Sequence, residues 1–295
     1  MLYRNSYIWI FGLALAIVAC EDPVEVPTDF EEPQLVIDAW LTNTSTPQTI
    51  RLSQTVDYFA GATPPAVETA TVRVCREDTS NCRVFEHQGN GNYVWTPATG
   101  ETFGAVNDLF LLEMEVDGQT YTSQTIIKRT AVLDSIGLTF EEESLQFDEG
   151  FVAQLYARDL PGRGDTYWVR AYKNDTLLNR PSEIVAVYDA TFDPGADIDG
   201  TYWIPPLRLA SVNPLDNDGS FIPYQSGDHI YVEVHSINEA AFRFLNIATE
   251  QIQNEGLFAT PLANAPGNVI HTATGESILG IFTIAEVASM EREVE

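Results

Sequence analysis

The chain has 295 residues, with 43 Asp and Glu against 15 Lys and Arg, and a formal net charge of -28. A surface this acidic is repelled by nucleic-acid phosphates, which excludes nucleic acid as a partner. An apolar content of 44% supports a packed core and excludes wholesale disorder, while the charge itself favours solubility and attracts cations or basic peptides.

At the amino terminus a single positive charge, Arg4, precedes an apolar run from Tyr7 to Ala19. At 1.5 Å per residue the run reaches about 20 Å, short of the roughly 30 Å hydrocarbon core of a bilayer. Residues 1–19 therefore read as a signal peptide and not as a permanent span. The run ends Ile17-Val18-Ala19-Cys20, which resembles the lipobox of bacterial lipoproteins and implies cleavage before Cys20 with lipid on its thiol. The alternative is a buried cysteine that follows a signal peptide. Two fatty chains, at about 0.8 kcal/mol per buried CH₂, make a durable anchor. Residues 20–33 are a Pro-rich acidic tether beginning Glu21-Asp22, similar to the export tag that sends many Bacteroidetes lipoproteins to the cell surface. Outer-membrane surface display is favoured over an anchor facing the periplasm. Removing the first 19 of 295 residues leaves 276, enough for one large or two ordinary domains, and losing Arg4 takes the charge from -28 to -29.

From residue 34 the pattern is that of strands. Residues 34–41, 49–53, 69–74 and 83–86 are rich in β-formers or alternate apolar and polar side chains, and a turn at Gly89-Asn90-Gly91-Asn92-Tyr93 enters another. Leu109–Val116 and residues 119–125 predict a hairpin across Asp117-Gly118. So many short strands imply a β-sandwich of immunoglobulin-like or transthyretin-like shape over residues 34–130. Cys75 and Cys82 flank a turn-like segment, and an oxidising envelope favours a disulfide between the arms of a hairpin. The rival is a metal site, but two thiolates without nearby His or further Cys are too few for zinc.

A second β-rich domain is expected over residues 131–295, with strands at 135–140, 151–158, 166–172, 184–192, 229–237 and 277–284 ahead of a charged carboxyl end. Residues 238–255 break this pattern. Ala241, Phe242, Leu245, Ala248 and Ile252 follow helical spacing, with Asn238 as N-cap and Gly256 as terminator, and the helix should pack one face on the second sheet.

Candidate chemistry is sparse. There is no Gly-x-Ser-x-Gly elbow, and His229 and His235 share a strand face but lie about 20 Å apart along it. These two, with His87 and His271, read as ordinary structural residues. Glu113 and Glu115 fit the wet face of a half-buried strand, and Glu141, Glu142 and Glu143 fit an acidic turn. A surface hydrolase is the third-ranked function. Asp197-Ile198-Asp199-Gly200 and Asp216-Asn217-Asp218-Gly219 each resemble part of a calcium loop, so Asp197, Asp199, Asp216 and Asp218 are candidate ligands for a structural calcium. Neither loop is complete, and Asp-Gly turn chemistry alone accounts for both. Among the aromatic residues (Trp40, Trp95, Tyr167-Trp168 and Tyr202-Trp203), core packing is the expected role, with Trp203 the candidate for stacking on a ligand. The connections over residues 193–224 are long for a compact domain and offer a binding surface.

Three groups of residues resemble a family of uncharacterised Bacteroidetes lipoproteins, domain of unknown function 4249. They are the lipidated cysteine and acidic tether with residues 33–43; Pro64-Pro65-Ala66-Val67-Glu68-Thr69-Ala70-Thr71-Val72 with residues 89–93; and the helix, Pro261, Gly267-Asn268-Val269-Ile270 and Leu279-Gly280-Ile281-Phe282. Members are often encoded beside TonB-dependent transporters, which implies a non-enzymatic accessory or ligand-capture subunit of such a transporter in the outer membrane. The alternative is an adhesion or structural surface protein that uses its sandwiches as spacers.

Overall fold

A computed structural model describes residues 32–57, 61–77, 81–143, 148–253 and 265–295. The signal segment, Cys20 and the tether up to residue 31 lie outside the described residues, as do Gly256 and Pro261. The chain is mostly β, with one helix longer than a single turn among the described residues.

Alternation builds the first sheet. In β1 (Leu35–Thr42), Ile37, Ala39 and Leu41 are buried on one side. β2 (Gln48–Gln54) and β6 (Leu109–Val116) bury every second residue in the same way. The others are β3 (Ala70–Arg76), β4 (Cys82–His87), β5 (Asn92–Trp95) and β7 (Gln119–Ile126). Asp117 and Gly118 have φ of 49° and 76°, the left-handed pair a two-residue hairpin needs to match strand twist. Cys75 and Cys82 stand opposite each other across β3 and β4 and form a disulfide.

Two strands from the carboxyl-terminal region complete this sheet, whose order is β14-β7-β6-β3-β4-β5-β2-β1-β15. β14 is Ile270–His271, and β15 (Leu279–Ala285) runs parallel to β1 over seven residue pairs from Val36–Leu279 to Thr42–Ala285. β4 and β5 are joined by only two residue pairs. The sheet curls into a half-barrel, and its two wings share one core. Ile37, Ile50 and Leu52 come from one wing, and Val72, Phe110, Leu112 and Met114 from the other.

The second sheet has the order β11-β10-β13-β16, with β12 also on β10. Its strands are β10 (Thr166–Lys173), β11 (Thr176–Leu177), β12 (Val185–Tyr188), β13 (His229–Ser236) and β16 (Val287–Glu293). The hairpin of β8 (Val132–Glu141) and β9 (Gly150–Arg158) packs beside it, and Ala153, Leu155, Tyr167, Val169, Val232 and Val234 share its core. β12 stops at Tyr188, short of the expected end at residue 192. Asp189 has φ of 53°, and Thr191 returns its N–H to the Tyr188 carbonyl. The charged carboxyl end is itself a strand, β16, because its alternate side chains meet β13 and Val294 is buried.

One residue, Glu286, separates β15 in the first sheet from β16 in the second. The Thr130 N–H donates to its carboxylate at 3.0 Å, which ties the connection after β7 to the one between β15 and β16. Helix α1 (Glu239–Ile252) sits at the same junction. Asn238 caps it by accepting the Ala241 N–H at 2.8 Å. Ala241, Phe242 and Leu245 pack against Ala186 of the second sheet and Ile281 of β15, with Trp40 and Trp168 at the margin. The amphipathic face therefore seals both sheets, where one was expected. Ile252, at the end of the apolar stripe, is 56% exposed.

Candidate functional site

Among the described residues, a concentration of polar chemistry lies in the connection between the end of β9 and the start of β10. The loop of residues 159–165 there meets the strap of residues 189–206. Asp159, Asp189 and Asp199 each bring a carboxylate oxygen within 4.8 Å of the others. Asp159 and Asp189 are buried, at 3% and 2% exposure.

Each carboxylate is positioned by backbone donors. Asp159 accepts the Tyr167 hydroxyl at 2.6 Å and the Gly200 N–H at 2.9 Å. Asp189 accepts the N–H groups of Gly164 and Asp165, both at 2.8 Å. Asp199 accepts the Gly162 N–H at 2.9 Å. Gly200, with φ of 65°, lies so close to Pro161 that a Cβ would come within 3.0 Å of its Cα. Arg129 closes the far side. It holds Asp165 at 2.8 and 2.6 Å and donates to the carbonyls of Leu160, Pro161 and Gly162.

Burial pushes the Asp159 carboxyl above the usual carboxylate range, against the hydrogen bonds from Tyr167 and Gly200, and the charges of Asp165 and Asp189 push it further. Burial and the bond to Asp159 likewise raise the Tyr167 phenol well above its ordinary value, so it stays a donor. Three converging carboxylates suit a hard divalent cation such as calcium, which takes oxygen ligands at about 2.3–2.6 Å.

Of the four calcium candidates read from sequence, only Asp199 reaches this cluster. Asp197 is exposed and ion-paired with Arg163. Asp216 spends one carboxylate oxygen on the N–H groups of Asp218 and Ser220, at 2.9 and 2.8 Å, so that loop is an Asp-capped turn. Asp159 and Asp189 were missed because each stands alone at a strand end, and only the pairing of β10 with β12 and the return of the strap bring them together.

Trp203 is also corrected. Its ring is fully buried, 6.0 Å from that of Tyr167, and has no face to offer a ligand. Tyr202 is the exposed ring instead, at 60%, with the Arg158 guanidinium 5.8 Å from its centroid. Successive residues in an extended segment point to opposite sides, and the inward one here is the tryptophan.

The histidines stay dispersed. His87 packs on Tyr93, His271 bonds Gln119 and Thr274, and His229 and His235 sit at opposite ends of β13. His235 is buried and shares a hydrogen bond of 3.0 Å with Glu233, which also accepts from Tyr231 and Tyr172.

Among protein families, the one described as a domain of unknown function (DUF4249) matches residues 21–291. No curated protein matches the chain.

Proposed function

Because the chain belongs to the DUF4249 family, we propose that it is a non-enzymatic lipoprotein, anchored through Cys20 in the outer membrane and displayed at the cell surface, that serves a TonB-dependent transporter as accessory or ligand-capture subunit. The observation that carries this reading is the family match from residue 21 onward, directly behind the lipobox-like Ile17-Val18-Ala19-Cys20. Among the described residues, the two sheets are joined through Glu286 and share the packing of α1. In this reading residues 34–130, completed by β14 and β15, are a sandwich of immunoglobulin-like or transthyretin-like kind, an interpretation supported by the core shared between the two wings. Calcium at Asp159, Asp189 and Asp199 would act as a structural brace that lowers their mutual repulsion.

The experiment is native purification of the tagged lipoprotein from membranes in mild detergent, followed by mass spectrometry. A stoichiometric TonB-dependent barrel is the expected companion. Recovery of the lipoprotein alone across several detergents would reject a stable complex and favour the adhesion or spacer reading. Lipidation is read separately: Cys20→Ser should move the protein from the membrane to the soluble fraction.

A further inference from the structure

Taking the accessory-subunit reading as its premise, we propose that the outer surface of the strap, centred on Tyr202 and Ile204, is where this protein docks a partner protein surface that is apolar and rimmed with basic side chains. Ten large apolar residues are exposed among the described residues, and four of them lie in this one strap: Phe192, Ile198, Tyr202 and Ile204. Tyr202 and Ile204 are 60% and 58% exposed on either side of the fully buried Trp203. Isolated exposed apolar side chains are ordinary, whereas their concentration on one segment marks interaction surfaces.

The strap is held in place rather than left to collapse onto its own apolar groups. The Asp159 N–H donates to the Thr201 carbonyl at 2.9 Å, and the Trp203 N–H to that of Ala157 at 2.9 Å. The Arg208 guanidinium grips the Trp203 carbonyl at 2.8 Å. Asp159 and Asp199 fasten Gly200 and Gly162, as described above. A surface fixed before binding loses little conformational entropy on association, and an aromatic residue flanked by aliphatic ones fits the anchor of an interface.

Charge selects the occupant. Within the strap of residues 189–206, Asp193, Asp197 and Asp199 reach the surface, and the strap contains no Lys or Arg. The neighbouring guanidinium groups are engaged within the molecule: Arg129 by Asp165, Arg158 over the Tyr202 ring by Asp134, Arg163 by Asp197, and Arg208 by the Trp203 carbonyl. Asp193, exposed, and Asp199, half-buried, keep the rim acidic, on a chain of net charge -28. A second copy would present the same acids and be repelled, so a basic partner surface is favoured.

The test compares the wild-type lipoprotein with Tyr202→Ser/Ile204→Ser, with Ile204→Lys, and with Val84→Ser, an equally exposed apolar site on β4. Each is purified natively from membranes, and the co-purifying barrel is quantified, with thermal melting as a check on folding. Both strap variants should lose at least tenfold of the barrel, Val84→Ser should retain it, and raised salt should weaken the wild-type complex. If the double variant does not fold, the single Ile204→Lys change decides. Equal recovery of barrel with a folded strap variant overturns the docking surface and leaves the accessory role standing. Absence of a barrel from the wild type, or recovery of a homodimer in its place, overturns both.

Discussion

The side-chain amide of Asn268 pairs with the backbone of Phe282 as a neighbouring strand would: its oxygen accepts the Phe282 N–H at 2.8 Å, and its nitrogen donates to the Phe282 carbonyl at 2.7 Å. Phe282 is fully buried in β15, where backbone groups without partners are costly. Asn213 does the same for Ala153 of β9, at 2.8 Å in both directions. Single amides thus finish strand edges that no further strand covers.

Asn268→Ala leaves the Phe282 N–H without this acceptor, while its carbonyl keeps a bond from Asn238 at 3.0 Å. The expected loss is about 1–3 kcal/mol of stability in urea unfolding. Asn268→Asp should cost at least as much, because a carboxylate oxygen would then face the carbonyl. An aspartate variant as stable as the wild type would mean that the clamp contributes nothing.

Gly280→Ala addresses the joint between the two ends of the chain. With φ of 93°, a Cβ at residue 280 would sit 1.7 Å from the Ile37 carbonyl oxygen, which cannot give way without breaking the parallel pairing of β1 and β15. The expected cost is on the order of 3 kcal/mol or more, or failure to accumulate as folded protein. Gly118→Ala is the control, because it shares a positive φ but has open space around it, and should lose only about 1 kcal/mol. Similar melting temperatures for the two variants would contradict the close approach.

Replacing both Cys75 and Cys82 with Ser removes a bridge across a sequence separation of 7. In the chain-entropy picture this lowers stability by about 2 kcal/mol, and reducing the wild type should reproduce the loss. Reductant that leaves the unfolding midpoint unchanged would show the staple to be energetically idle.

Acid should destabilise the protein through His235 and Glu233. Burial holds the His235 imidazole below its ordinary 6.5, against the pull of Glu233. The unfolded chain therefore binds this proton before the folded one, and stability falls as pH drops from about 6.5 towards the depressed folded value. Glu233 adds to the fall lower down. Burial alone would raise it, but the His235 hydrogen bond and the charges of His235 and Arg170 leave it below its ordinary 4.5. Urea midpoints from pH 7.5 to 5 should decline in the wild type and flatten in His235→Gln; an unchanged slope in the variant would remove His235 as the cause.

Calcium should raise the melting temperature through Asp159, Asp189 and Asp199. A ligand at a hundredfold its dissociation constant adds about 2.7 kcal/mol, and each kcal/mol is worth roughly 2–4 °C in a chain of this size. Asp159→Asn should abolish the shift and raise the calcium-free melting temperature, since it removes a buried charge beside two others. A midpoint unmoved by millimolar calcium rules the site out.

Much of this architecture is legible in the sequence because strand alternation and turn chemistry are local. The bounds of β6, the Asp117-Gly118 hairpin, the Asn238 cap and the cysteine pair all follow from a few neighbouring residues. What joins them is not local. Nothing in Gly267-Asn268 or Leu279-Gly280 announces that these residues close a sheet begun at Leu35, yet the sheet requires a glycine against Ile37 and an amide against Phe282. Val67 and Tyr93 belong to two separate motifs that meet in one hydrogen bond of 3.0 Å from the tyrosine hydroxyl to the valine carbonyl. The acidic cluster is likewise a product of tertiary structure. Loops ending in Asp-Gly drew attention to Asp197, Asp199, Asp216 and Asp218, of which Asp199 alone reaches the cluster, because a cation site needs oxygens that converge, and convergence depends on which strand ends are neighbours. Sequence by itself determined most strands of the first sheet, the charge and the amphipathic helix, since each rests on the period and chemistry of adjacent residues. Only the fold decided which ring faces solvent and which carboxylates meet, because those are distances between segments far apart along the chain.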